Sequence, residues 1–288
     1  MVNITSRQWR WLLLVAILCL ATATRVHDLD LRSLWEDEGW TLVLAEGPSL
    51  SDVARRMAYD QHPPLYFMIF RLWEDVTGSS EFSLRYLSVL TGIVGVAGMY
   101  QLGKTAFNTS IGLLAMLLLA LWDHHIDLSQ DARHYSQLAT LIILSTWFYF
   151  RLITPNQTRH HLRVNSALYL LLSSALLYSH YLGGFVLICH AIHMLLFVRP
   201  LAHLRWCLFV FISVCLSFLP WLPIVIRQNQ VRWETPLYYL NSLPNNHNTY
   251  LMVRDALLGK QYALFGFFII WGLFVVFTQS AWRTRWIT

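Results

Sequence analysis

The chain has 288 residues, of which 56% are hydrophobic, 15% aromatic and only 13% charged. Soluble domains carry about 25% charged residues, and the mean hydropathy here is +0.45, so the composition excludes both an ordinary cytosolic enzyme and a disordered chain. Net charge is +5, but the placement of the charges says more than their sum.

A helix needs about 20 apolar residues to cross a bilayer, and such runs recur along the chain. The first is Trp9–Val26. Arg7 and Arg10 precede it and Ala21-Thr22-Ala23 looks like a cleavage site; because many more runs follow, it is read as a retained first helix. An outer segment, 27–81, comes next. Within it His62-Pro63-Pro64 introduces Leu65–Trp73, an apolar stretch too short to span. That stretch is expected to form an interfacial helix started by the prolines, whose missing N–H costs nothing in a first turn.

The second run, Phe82–Phe107, carries Ser88, Gly92 and Gly95 on one face, a pattern suited to close helix packing. Then come Thr109–Ile126, a short outer loop at 123–134, Tyr135–Ile153, Val164–His180, Tyr181–Val198 and His203–Ile226. A second long outer segment, 227–261, leads to Tyr262–Phe277. The fold class expected is all-α, a polytopic helical membrane protein of about eight spans, without a soluble domain or repeat array. Cys19, Cys189, Cys207 and Cys215 lie in apolar runs with no C-x-x-C pair and read as small buried hydrophobes.

Charge sets the orientation. With the N-terminus inside, the short inner loops hold Arg151, Arg159, Arg163, Arg199 and Arg205 and no acid, while all 16 Asp and Glu fall outside. Basic, acid-free short loops mark the cytoplasmic side. Both termini are then cytoplasmic.

The densest polar feature is Leu34-Trp35-Glu36-Asp37-Glu38-Gly39-Trp40. Helix neighbours one apart do not share a face, so the arrangement expected is one working acid and one supporting acid. Crowded carboxylates raise each other's pKa, which suits a general base; the competing reading is a solvated acidic turn between interfacial tryptophans. A second cluster runs from Asp127 through Ser129, Gln130, Asp131, Arg133 and His134 to Tyr135. The Arg133 fork suits phosphate oxygens near a helix start, and an arginine so near hydrocarbon needs a partner. An ion pair with Asp127 or Asp131 is the alternative. The third cluster, Tyr178-Ser179-His180-Tyr181, lies at a tight outer turn and reads equally as substrate contact or aromatic belt. His190 and His193 sit near the inner end of a span and read as interhelical hydrogen-bonders, and Pro220-Trp221-Leu222-Pro223 as a kink and interface anchor. All three clusters meet on the outer face, at the depth where lipid phosphates lie. A reaction on a lipid-linked phosphate is the inference they support together.

The ordered set Trp35-Glu36-Asp37-Glu38-Gly39, His62-Pro63-Pro64-Leu65-Tyr66-Phe67, Ser80–Ser88 with Arg85, Ser129–Tyr135, Tyr178–Tyr181 and Leu219–Pro223 followed by Trp233 resembles the GT-C class of integral-membrane glycosyltransferases. Within it the likeness is to the bacterial family 39-like group related to lipid A aminoarabinose transferase and protein O-mannosyltransferases. That resemblance implies an inverting transfer of a sugar from a polyprenyl-phosphate donor to a lipid, glycan or protein acceptor. The place implied is the outer, periplasmic face of the bacterial inner membrane. Asp37 maps to the catalytic acid, with Glu38 beside it. Arg133 is the expected cation for the leaving phosphate, and His62, Arg85, Asp131, His134, Tyr135, His180 and Tyr181 are the expected substrate contacts. No cofactor is expected, although acids of the outer clusters can hold Mg²⁺ or Mn²⁺ through oxygen ligands; the partners are the donor, its acceptor and membrane lipids, with no nucleic acid. Members of this group usually continue with further spans, so 1–288 is expected to be one module truncated at its C-terminus. A lipid-linked substrate carrier or flippase, and an inactive truncated transferase, are the alternatives.

Overall fold

The computed structural model describes residues 6–234. Among the described residues, 6–121 with 125–230 form one compact unit, which holds the site. The expected span Tyr262–Phe277 and most of segment 227–261 lie outside the described residues.

Every regular element among the described residues is helical. The α-helices are α1 Ser6–Val26, α2 Glu36–Ala45, α3 Leu50–Met57, α4 Leu65–Thr77, α5 Glu81–Ala106, α6 Thr109–Leu121, α7 Asp123–Gln130, α8 Tyr135–Ile153, α9 Arg159–Ser179, α10 Gly183–Phe197, α11 Leu201–Phe218 and α12 Leu222–Glu234; a 3₁₀ turn, Leu219–Trp221, joins the last two. Four helical stretches are long and apolar enough to cross a membrane: Arg7–Val26, Glu81–Ala106, Tyr135–Ile153 and Leu201–Gln228. The bent pair Thr109–Leu121 and Asp123–Gln130 makes a fifth if counted as one span. Of the eight expected spans, seven fall among the described residues, where four or five helical stretches meet this measure. Helix α9 opens with Arg159, His160, His161 and Arg163 and buries Asn165, Ser166 and Ser173, which dilutes its apolar character. Helix α10 has 15 residues, a rise of about 22 Å at 1.5 Å per residue.

Helix α5 is the hub, packing on α6, α8, α1 and α4. The small-residue face expected there is buried: Ser88, Gly92 and Gly95 are all enclosed. A Cβ at Gly95 would lie 2.6 Å from Thr140 Oγ1 on α8. On the α6 side a Cβ at Gly103 would stand 2.9 Å from the Cα of Gly112, and one at Gly112 2.7 Å from the Tyr100 carbonyl oxygen. These are backbone-to-backbone approaches, so no side chain can yield. Gly103→Ala is expected to destabilise the protein by about 1–3 kcal/mol through overpacking. Gly39→Ala, with nothing within 4 Å of its added Cβ, serves as the control; thermal unfolding of both in detergent checks the difference.

The outer segment folds into α2, α3 and α4. Glu38 reaches back to the Trp35 N–H (3.2 Å), the third-position half of a capping box, and Ser49 caps α3 by accepting from the Asp52 N–H at 3.3 Å. Helix α4 starts after Pro64, as expected, but runs on to Thr77. It buries Tyr66, Phe67 and Phe70 in a core with Val53, Met57, Leu84, Ala132 and Trp221. That core fixes the outer segment on the ends of α5 and α8.

Other expectations resolve locally. Thr146 Oγ1 and Tyr169 OH each lie 3.3 Å from a ring nitrogen of His190, and Tyr149 OH lies 2.7 Å from His193 Nδ1, the interhelical role read for both histidines. Pro220 and Trp221 lie in the 3₁₀ turn and Pro223 in the first turn of α12, and Trp221 Nε1 donates to Tyr181 OH (3.0 Å). Of the four cysteines read as buried, Cys207 is buried, while Cys19, Cys189 and Cys215 are exposed on the helix surfaces.

Candidate functional site

The three consecutive acids of α2 point three ways, as the 100° step between helical neighbours requires. Glu36 is exposed, Asp37 is partly exposed and Glu38 is fully buried. Glu38 Oε1 accepts from Arg85 Nε and from the Ala132 N–H, both at 2.8 Å; Oε2 accepts from Arg85 Nη2 at 2.7 Å and from the Trp35 N–H. Arg85 in turn donates from Nη1 to the carbonyls of Leu29 (2.9 Å) and Arg32 (2.7 Å) and from Nη2 to that of Ser33 (3.2 Å). All five N–H donors of a guanidinium are thus used inside the protein. The pair ties α2, the 27–33 turn, α5 and the segment before α8 into one node.

Asp37 keeps 41% of its side chain exposed. Arg133 donates from Nη1 to the Asp37 carbonyl (2.9 Å) and to Thr41 Oγ1 (3.2 Å), while its Nη2 lies 3.7 Å from Asp37 Oδ2. The last distance is an attraction too long for a hydrogen bond. The partner of Arg133 is therefore Asp37, rather than the Asp127 or Asp131 considered from the sequence. Its guanidinium carbon sits 5.8 Å from the ring of Tyr135, and its Nε is buried without a hydrogen-bond partner.

Asp131 lies beside the Glu38–Arg85 node. Burial, then the neighbouring Glu38 charge, push its carboxyl up to about 6, against the pull of Arg85. It lines a cavity of about 1050 Å³ with Arg32, Trp35, Arg85 and Asp127. Asp37 does not line that cavity. Because the folded protein binds the Asp131 proton more tightly than the unfolded chain, this group lowers stability as pH rises from about 4 to about 6. Asp131→Asn is expected to be more stable than the wild type above pH 6 and equal to it below pH 4; unfolding temperatures across that range test this.

His62, His134 and His180 converge from the loop before α4, the start of α8 and the end of α9. Each offers a ligand atom within 4.8 Å of the others, and the ring centroids are 4.6 Å (His62–His134), 5.0 Å (His134–His180) and 5.7 Å (His62–His180) apart. Burial holds His134 far below the ordinary imidazole range and His180 down to about 4. Tyr181 OH donates to Gln228 Oε1 (2.6 Å), and Gln228 Nε2 donates to the Met57 carbonyl (2.8 Å). The turn after α9 is thereby locked to α12 and α3.

The structure therefore joins Asp37 to Arg133, Glu38 to Arg85 and Asp131, and His62 to His134 and His180. Sequence reasoning passed over Arg25, fully buried at the end of α1, whose guanidinium donates to the Leu119 and Ala120 carbonyls (3.2 and 3.1 Å) and meets His125 Nδ1 at 2.7 Å. Its signal was an arginine closing an apolar run. Asp60, two residues ahead of His62, was passed over as well.

Residues 61–224 match the model of the dolichyl-phosphate-mannose-protein mannosyltransferase family. The match covers more than half of the 288 residues, and the chain belongs to this family of GT-C-type membrane glycosyltransferases. Searches of curated proteins and of solved structures returned no match. The matched stretch contains Arg85, Asp131, Arg133 and the three histidines and begins after Asp37 and Glu38.

Proposed function

We propose that the chain transfers a sugar from a polyprenyl-phosphate donor to an acceptor hydroxyl on the outer face of a bacterial plasma membrane, with both termini cytoplasmic. The observation that carries this is the division of labour in α2: Glu38 is consumed by Arg85, while Asp37 stands half in solvent with a guanidinium against it. Asp37 accepts the hydroxyl proton as that oxygen attacks the anomeric carbon. The bond from that carbon to the phosphate oxygen breaks, its electron pair leaves with the polyprenyl phosphate, and the configuration inverts. Arg133 supplies the positive charge for the leaving phosphate, a group that departs without protonation and calls for no metal in this step.

Glu38 is read as the scaffold that sets the Asp37 backbone, held by Arg85 from the wall of the cavity beside Asp131. The cavity beside Asp131 is of the size that takes small ligands; because Arg85 lines it and Asp37 does not, we assign it to a part of the donor or acceptor away from the reacting carbon. His62, Tyr135 and His180, partly exposed, stay on the substrate side, while His134, next after Arg133 in the chain, is fully buried and is given no direct contact; Tyr181 is read as an anchor of the 181–228 contact.

Membranes containing the protein, given donor lipid labelled in its sugar, test the proposal. Label recovered on a molecule other than the donor supports it. Label that crosses the bilayer while still attached to the lipid points to a carrier and contradicts it.

A further inference from the structure

We infer that His62, His134 and His180 form a binding site for a zinc-class divalent cation. One ring nitrogen from each lies within 4.8 Å of the others. Three nitrogens around a tetrahedral zinc with bonds of about 2.0–2.1 Å stand roughly 3.3 Å apart, so side-chain movements of about an ångström close the site. The donor set is all imidazole, which suits zinc and its neighbours in the transition series and not Mg²⁺ or Ca²⁺. It is the one group of its kind among the described residues.

Two further observations point to a ligand there. His134 is 0% exposed, and neither of its ring nitrogens has a hydrogen-bond partner. A buried imidazole with both nitrogens orphaned is costly unless something binds it. Asp60 Oδ1 lies 2.8 Å from His62 Nδ1 and also accepts the His62 backbone N–H at 3.1 Å. A carboxylate on the inner nitrogen holds the proton there and turns Nε2 outward as a ligand, the arrangement that supports metal-bound histidines. His180 Nδ1 accepts from the Leu182 N–H at 3.0 Å on the exposed side of the cluster, where water can replace it when the ring ligates.

Three protein ligands leave a fourth position for water or a ligand oxygen, on the side where His62 and His180 are partly exposed. The ion would staple the loop before α4 to the ends of α8 and α9. The site uses neither Asp37 nor Arg133, and it stands whether or not the chain transfers sugar.

The test is metal content and affinity of the full chain in nanodiscs, stripped with chelator and reloaded with Zn²⁺. One Zn²⁺ per chain is expected beyond what the triple variant His62→Ala/His134→Ala/His180→Ala retains. Asp60→Asn is expected to bind 10–100-fold more weakly, and His160→Ala, an exposed histidine elsewhere, to bind as the wild type does. His134→Cys guards against simple misfolding: it should still take one ion, and with Co²⁺ should add the absorption of a thiolate-to-metal band. Zinc retention equal in wild type and triple variant, equal affinity in Asp60→Asn and His160→Ala, or a His134→Cys protein without the thiolate band would each overturn the inference.

Discussion

Glu38→Gln is expected to lower the stability of the folded protein by about 3–5 kcal/mol, because it leaves the charge of Arg85 buried and unmatched. Arg85 is 5% exposed and Glu38 is 0% exposed, so water cannot take over the missing interaction. Arg85→Lys is expected to fail in the same way, since an ammonium has three donors where five are in use. Replacing both members by leucine removes the unmatched charge but leaves the Leu29, Arg32 and Ser33 carbonyls and the Trp35 and Ala132 N–H groups without these partners, so the double variant is expected to stay less stable than the wild type. Thermal unfolding of the single and double variants in detergent measures all three effects. A Glu38→Gln protein that unfolds with the wild type would remove the node from the account.

Asp37→Asn behaves in the opposite manner. Its side chain is 41% exposed, and the shorter bonds from Arg133 go to the Asp37 carbonyl and to Thr41 rather than to the carboxylate. Unfolding temperature and membrane insertion should therefore stay near wild type. Transfer should fall by about 10²–10⁴-fold, the contribution of a general base in this range of chemistry. The two neighbouring acids thus separate by measurement: loss at 38 is read in stability, loss at 37 in turnover.

Much of this division was legible in the residues. Three carboxylates in a row cannot share a helical face, so different surroundings for the three follow from geometry, and Glu38 is the one buried on Arg85. The small-residue face of α5 and the prolines opening α4 were equally readable, because helical spacing and a missing N–H act locally. What could not be read were the pairings across the chain. Arg133 lies next to Asp131 in sequence, yet its partner is Asp37, 96 residues away. The three histidines belong to three separate motifs, and only the packing of α4, α8 and α9 brings their rings within 4.6–5.7 Å. Helices α9 and α10 read as two spans from the sequence, whereas neither is both long and apolar enough to cross a membrane by length and composition. Their buried serines and histidine serve helix–helix contacts, with Trp206 Nε1 donating to Ser166 Oγ at 3.0 Å.

The raised carboxyl at Asp131 has the same origin. Crowding of acids was visible at positions 36–38, but the desolvation that lifts Asp131 comes from the tertiary enclosure beside Glu38 and Trp35. Burial is a property of the fold, and no local pattern around Ser129–Tyr135 announces which of its acids will lose water.

The central claim is that the chain moves a sugar off a lipid phosphate with Asp37 as the base. Its most direct test is a single-turnover assay in nanodiscs, with sugar-labelled polyprenyl-phosphate donor and extracted bacterial envelope acceptors, comparing wild type and Asp37→Asn at matched folded fraction. The account predicts labelled acceptor of inverted anomeric configuration from the wild type and a rate at least 10²-fold lower from the variant; equal rates in the two proteins, or retained configuration in the product, would contradict it.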